Sequence, residues 1–422
     1  MAKRNHLIIG CGPAAFSAVQ TMRRLSSERE VTLITREKHL PYSLAALPYL
    51  VSGKTSEADL WQADEDYLQK MGCSLIREKE VVEVAPKSKQ VVCKDGERIA
   101  YDTLLIASGS HPSSPDIKGL NKVKFFSFHT LDDCRLLKRE LEGKKDVIIY
   151  GAGLVATELA IALLDAGYRV KIVVRSRILR RYFEPDAGQM IEDLFREKGA
   201  QVYKGHTIDE VKKNKDKIEV ILSDGSAFET EVLILAVGVK PSNLFLQGTG
   251  IELANGAVLV DNRMKTNIED IYAAGDIAAA PDFFTGEQGL NAILPSAISQ
   301  GKIAGANMVG QETKYEGWIS RNILNFFGNT AFSIGLQESE GAQILKEIDR
   351  DKKQYKKLIY RDGNLLGAVF INSEVFPGVF QYLIEKRVNL GEYAELLFRK
   401  PKDTSLWLML ENERKESLSL EE

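Results

Sequence analysis

HLIIGCGPAAFSAVQTMRR, residues 6–24, passes from a short apolar run through two glycines into a helical pattern, and its reading decides the fold. That order of residues encodes a buried strand, a tight turn and a helix. Gly10 makes the turn, Gly12 lets the backbone approach a pyrophosphate, and Ala15 is small enough for helix and strand to pack closely. Pro13 and Ala14 open the helix, whose free N–H groups and dipole favour an anion. The arrangement returns at 146–167, DVIIYGAGLVATELAIALLDAG, where Gly151, Gly153 and Ala156 flank Leu154 and Val155. The offset is 151 − 10 = 141 residues. Each unit runs on into a β-branched strand, VTLIT at 31–35 and VKIVV at 170–174. Two such units predict two dinucleotide sites.

After each unit come short strands divided by turn signals, EVVEVAP and KQVVCKDGERI in the first half, TIDEVKK and KIEVILSDGSAFE in the second. KDGE and SDGS mark hairpins by their Asp-Gly pairs. The expected fold is α/β, with two Rossmann-like dinucleotide-binding domains carrying inserted β-meanders and a C-terminal α+β interface domain. Residues 1–115 and 242–314 are expected to form the first domain, 116–241 the second and 315–422 the last. Within that last module KKLIYRDGNLLGAVFIN reads as another Asp-Gly hairpin, and ENERKESLSLEE reads as a frayed charged tail.

A chain of 422 residues can bury a cofactor, and its net charge of −3 comes from 56 basic and 59 acidic residues spread along its length. No single-sign patch for nucleic acid or anionic lipid follows from that balance. The longest apolar runs, such as LIIGCGPAAF, are about half a membrane span and are broken by glycine and proline. Basic residues precede that run, yet no small-residue cleavage site closes it, so a cytoplasmic protein is expected. Cys11, Cys73, Cys93 and Cys134 are widely separated and form no CxxC, and the five histidines show no metal spacing. No metal site is expected.

Three further stretches join the glycine motifs: YDTLLIASGSHP (101–112), LILAVGVKPSNLF (233–245) and TNIEDIYAAGDIA (266–278). With them, residues 5–310 resemble the two-dinucleotide flavin oxidoreductases related to glutathione reductase. The resemblance implies FAD at the first motif. Glu37, 37 − 15 = 22 residues after Ala15, would accept hydrogen bonds from the adenosine ribose. Ala107, Ser108 and Gly109 stand for the family's Ala-Thr-Gly turn, and Gly275 and Asp276 for the motif whose aspartate holds the ribityl chain. Pro295 and Ser296 open LPSAISQGKIAGANMVG, similar to the helix whose N-terminus faces the flavin pyrimidine.

NAD or NADP falls to the second motif, with Glu158 beside the nicotinamide and Gly238 closing the domain. Arg175 and Arg181 match in spacing the two arginines that recognise NADPH in glutathione reductase. Arginine at 175, where a NAD-selective site has an acid, favours NADP(H), and the cluster Arg175, Arg177, Arg180 and Arg181 reads as phosphate-seeking.

The branch of this family that reduces coenzyme A disulfides, persulfides or peroxides has one cysteine in a stretch resembling Cys-Gly-Leu-Pro-Tyr. Here Ala45, Ala46, Leu47, Pro48 and Tyr49 occupy it. A methyl group forms no thiolate and no sulfenate. The comparison therefore moves to relatives that serve electron carriers: rubredoxin-type reductases, the flavin domain of assimilatory nitrite reductase, and the NADH-acceptor subunits of phenylglyoxylate dehydrogenase and tungsten aldehyde oxidoreductase complexes. HLPYSLAALPYLVSGK looks most like the last group.

The expected protein is an FAD-dependent NAD(P)H:acceptor oxidoreductase exchanging electrons with an iron-sulfur protein or oxidoreductase complex. It would self-associate or dock as a subunit. Two rival readings are a disulfide, persulfide or peroxide reductase using a cysteine brought near by folding, and a nucleotide-binding assembly or redox-sensing protein. Of the aromatics Phe326, Phe327, Phe332, Phe376, Phe380 and Tyr382, core packing is the expected role at their spacing.

Overall fold

A computed structural model describes the backbone of residues 5–26 and 30–421 and side chains as far as 418. The basic residues ahead of the first strand, read above for a leader, lie outside the described residues. The chain divides into two compact units.

Residues up to Ser113, His129–Cys134 and Gly238–Ile319 form the first unit. Its centre is a parallel sheet in the order Ile271–Ala273, Thr103–Ile106, Asn5–Ile9, Glu30–Ile34, Cys73–Ile76. These strands read as unbroken apolar runs because both faces are covered, and Leu7, Ile8, Leu33, Leu104 and Leu105 are fully buried. Helix Pro13–Leu25 packs on helix Leu294–Met308 at very short range. A methyl on Gly301 would stand 2.1 Å from the Ala14 carbonyl oxygen, and one on Gly305 2.6 Å from that of Ala18. The meander Val81–Ala85, Gln90–Cys93, Arg98–Ala100 is antiparallel, as its Asp-Gly turn requires. Tyr315 and Trp318 pack against this unit's core, which therefore extends to Ile319.

The second unit holds Ser114–Phe128, Arg135–Val237 and Ser320 onward. A four-stranded parallel sheet runs Gln201–Lys204, Arg169–Val174, Asp146–Tyr150, Val232–Leu235. The meander Ile208–Asn214, Lys217–Leu222, Ala227–Thr230 belongs to it. A five-stranded antiparallel sheet follows, ordered Arg321–Phe326, Asn329–Gly335, Asn364–Ile371, Gln354–Arg361, Gln343–Asp349. Asp362 and Gly363 both have positive φ, 51° and 76°, the conformation of a two-residue hairpin turn.

Phe332, Phe370 and Phe380 form the buried aromatic centre of this module, with ring centroids 5.3 to 6.5 Å apart. Phe326 is buried with them in kind, whereas Phe376 is exposed. The charged tail is a correction: residues 411–421 continue helix Pro401–Glu421. Straight-chain Glu, Lys, Arg and Leu are good helix formers, and this stretch is tied to an earlier helix region at two points. Asn412 donates to Tyr382 Oη at 3.2 Å and Lys386 reaches Glu416 at 3.6 Å, while Arg414 and Glu411 pair within the helix at 3.0 Å.

Candidate dinucleotide sites

Both glycine turns have the backbone their sequence demands. Gly10 (φ 114°) sits so close to the neighbouring strand end that a methyl would lie 2.2 Å from the Ala107 carbonyl oxygen. Gly151 (φ 123°) stands in the same relation to Ala236, at 2.1 Å. Gly12 and Gly153 are the N-caps of their helices; neither helix has a side-chain cap or an acid in its first turn. Nothing lies within 4 Å of a methyl placed on either glycine. Open space beside uncapped N–H groups is what a bound pyrophosphate needs, so the residues present fit two dinucleotides.

Around the first turn the predicted residues are gathered in one unit. Gly275 (φ 83°) fits between Ala14 and Ala297, its N–H donating to Gln300 Oε1 at 2.8 Å. Asp276 is half-buried and accepts from Ser110 Oγ at 2.9 Å; burial raises its carboxyl from the ordinary range, the Ser110 bond opposing. Ala107, Ser108 and Gly109 lead from strand Thr103–Ile106 into a short antiparallel pair with Val239–Pro241, secured by Ser108 Oγ donating to the Ser242 carbonyl at 3.0 Å. Pro295 lies in the first turn of helix Leu294–Met308, and buried Ser296 accepts from Asn291 Nδ2 at 3.0 Å.

Glu37, just past strand Glu30–Ile34, accepts from Tyr42 Oη at 2.9 Å, and that oxygen accepts in turn from the Leu131 N–H at 3.1 Å. Burial first, and the Glu37 carboxylate second, raise the Tyr42 phenol, which stays protonated and a donor. Sequence reasoning missed Tyr42, Ser110 and Gln300. Tyr42 lies in the quoted YSLAAL, where only its aromatic character was legible; the other two carry no local signal.

At the second turn Leu154 is half-buried, Val155 exposed and Ala156 buried. Glu158, one turn into helix Leu154–Asp165, has its carboxyl pushed up to about 7 by burial. The arginines divide. Arg175, Arg180 and Arg181 are exposed. Arg177 instead gives its guanidinium to the carbonyls of Phe183 and Arg180, so its charge locks the turn and the phosphate-seeking reading is corrected there. Buried Leu179 takes a positive φ of 51° and donates its N–H to the Ala152 carbonyl at 2.8 Å, folding the arginine turn onto the glycine turn. Gly238, predicted with this group, belongs to the first unit, where its carbonyl accepts from Ser113 N at 2.9 Å.

The alanines lie in a single turn of 3-10 helix, Leu44–Ala46, leading into helix Leu47–Val51. Ala45 is exposed. None of the four cysteines is in a disulfide. Burial pushes the Cys11 thiol up to about 12 and the Cys73 thiol to about 11, and it raises Cys93 as well. Cys134 is fully buried, its Sγ donating to the Leu47 carbonyl at 3.6 Å. Among the described residues no cluster of His, Cys, Asp or Glu could hold a metal, and no helix is long and apolar enough to cross a membrane.

Comparison with known proteins gives two family matches. Residues 4–301 match the pyridine nucleotide-disulphide oxidoreductases, and residues 321–388 match the rubredoxin NAD+ reductase C-terminal domain. The NADH-dependent phenylglyoxylate dehydrogenase subunit epsilon of Aromatoleum evansii is 35% identical, covering 91% of this chain and 92% of its own. The NADH-rubredoxin oxidoreductase of Clostridium acetobutylicum is 31% identical over 82% of this chain and 86% of its own. Among solved structures, an engineered water-forming NADPH oxidase bound to NADPH superposes with a TM-score of 0.85, at 24% identity, over 99% of this chain and 100% of the other. It carries five substitutions, including an introduced arginine followed at once by an introduced serine, and a second introduced arginine six positions after the first.

Proposed function

The chain belongs to the pyridine nucleotide-disulphide oxidoreductase family, and from that premise we propose that it moves electrons between a nicotinamide nucleotide and an iron-sulfur protein or complex without a thiol relay. Proteins of this family bind FAD and NAD(P)H. When bound, FAD accepts electrons in pairs from nicotinamide and releases them singly to one-electron carriers. In this reading residues 1–115 and 242–314 hold FAD, 116–241 hold the nicotinamide nucleotide and 315–422 present an interface.

The single observation that carries the reading is the alanine turn. Ala45 stands where the thiol-using branch has its cysteine, and burial keeps Cys11 and Cys73 protonated far above neutral pH. No described cysteine is then a ready nucleophile. Names of two relatives support a carrier partner: one is a rubredoxin oxidoreductase, the other a subunit of a dehydrogenase. The rubredoxin-reductase-type C-terminal domain supports docking through that module, as a homo-oligomer or within a hetero-complex. Four free thiols are compatible with a reducing, cytoplasmic setting.

Each residue then has a task. Gly12 and the helix behind it cradle the FAD pyrophosphate, Glu37 takes the ribose hydroxyls and Asp276 the ribityl chain. Glu158 presents a carboxyl beside the nicotinamide, and its ionised form favours the positively charged, oxidised ring. Arg175 and Arg181 accept a 2′-phosphate, which makes NADPH the favoured nucleotide. Their support is the turn's own charge, together with the engineered NADPH oxidase, in which arginine, serine and arginine were introduced at the spacing of Arg175, Ser176 and Arg181.

The test is anaerobic turnover of the FAD-loaded protein with NADPH or NADH and one of two acceptors, oxidised rubredoxin or coenzyme A persulfide. Reduction of rubredoxin with little or no persulfide turnover is expected; the reverse preference would sink the reading.

A further inference from the structure

The arginine turn is held from outside the dinucleotide fold. Glu184, which ends the turn and caps helix Pro185–Glu197, is only 6% exposed, and Lys357 on strand Gln354–Arg361 only 3%. Lys357 Nζ pairs with Glu184 Oε2 and donates to the Gln337 carbonyl at 2.9 Å. Gln337 Nε2 donates in its turn to the Arg181 carbonyl at 2.8 Å. The other Glu184 oxygen accepts from Tyr355 Oη and from Lys346 Nζ, the latter at 2.6 Å, and Lys346 also reaches Asp186 at 2.6 Å. Burial would raise the Glu184 carboxyl, but these donors outweigh it and hold it at about 2.

A lysine in the packed face of a sheet, between Tyr355 and Leu358, is costly unless paired, and replacing such a pair by apolar residues is commonly neutral or better for stability. Its arrangement here has a geometric consequence. The turn between Val174 and Pro185 is fixed at Leu179 by the Ala152 carbonyl, internally by Arg177, at Arg181 by Gln337 and at Glu184 by Lys357. The exposed guanidiniums of Arg175, Arg180 and Arg181 are left to meet a ligand, on a backbone that is already set.

We infer that Lys357, Glu184 and Gln337 are positioning residues for the 2′-phosphate end of the nicotinamide nucleotide, so that the C-terminal module sets nucleotide selectivity from outside the dinucleotide-binding fold. The inference rests on the arginine turn's reading as a 2′-phosphate site. Displacing the turn weakens charge-assisted contacts that depend on fork geometry and leaves contacts to the rest of the nucleotide in place.

Calorimetric titration of the FAD-loaded full chain with adenosine 2′,5′-bisphosphate and with adenosine 5′-monophosphate, which lacks the 2′-phosphate, tests this. Lys357→Met is expected to weaken the bisphosphate about tenfold and Gln337→Ala about threefold, with the monophosphate moving less than about twofold in both. Lys357→Arg should recover part of the loss. Should Lys357→Met fail to fold, Gln337→Ala, which removes one half-buried donor, decides alone. Equal weakening of both probes, or no change in either, would overturn the inference while the arginine reading stands. Wild-type protein binding the two probes equally well would overturn the arginine reading and the inference with it.

Discussion

The two glycine turns share one backbone and differ in what is packed around them. Gly10 and Gly151 have nearly the same positive φ and the same close approach to the next strand end. The first turn's helix is pressed against helix Leu294–Met308 at Gly301 and Gly305, and Glu37, proposed to take the ribose, is tied down by buried Tyr42. The second turn has exposed Val155 at its helix start, exposed arginines at its rim and a glutamate titrating near neutrality. Under the proposed function the first turn holds a resident group and the second a ligand that comes and goes, a difference matched by the contacts packed behind each motif.

Breaking the turns should separate the two roles most sharply. Gly10→Ala and Gly151→Ala each force a methyl into a carbonyl at positive φ, an effect of about 4 kcal/mol. The first should emerge without flavin; the second should keep its yellow colour yet resist reduction by NAD(P)H, as absorbance of the purified proteins will show.

The buried pair comes next. Lys357→Met should cost about 3 kcal/mol in denaturant unfolding, since it leaves Glu184 short of a partner. Glu184 is depressed when folded, so its contribution is present above its ordinary 4.5 and is lost as pH falls from there to about 2. Glu184→Gln should flatten that part of the stability profile. The resident site can be loosened more gently with Tyr42→Phe, which should raise the FAD dissociation constant about tenfold while leaving nucleotide affinity alone.

The smallest effect belongs to Glu158. The carboxylate present above about 7 should speed flavin reduction by NAD(P)H, with a fall of about fivefold as it protonates below that pH. Glu158→Gln should remove the step from the stopped-flow pH profile.

Much of this was legible in the chain because the glycine turns are local: strand, turn, helix and next strand lie within about 30 residues, and their spacing carries the physics. Asp-Gly hairpins were legible for the same reason. The partners of the site residues were not. Ser110 meets Asp276 166 residues away, Gln300 meets Gly275 25 residues away, and Tyr42 links nearby Glu37 to Leu131, 89 residues on. Arg177 looks like its neighbours until its guanidinium is seen to be spent on Phe183 and Arg180. The helix at 411–421 is hidden in the sequence because its charged composition reads as a tail, whereas helix propensity and the long-range tie to Tyr382 decide its structure. Lys357 and Glu184, 173 residues apart, offer no sequence signal at all.

Passage of electrons through this protein without a thiol, as proposed, is decided by anaerobic titration of the FAD-loaded chain with NADH and with NADPH. Bleaching of the flavin spectrum complete at about two electrons per flavin, with no long-wavelength thiolate-to-flavin band, is the predicted result. Uptake of about four electrons, or a stable band of that kind, would contradict it and put a cysteine back in the pathway.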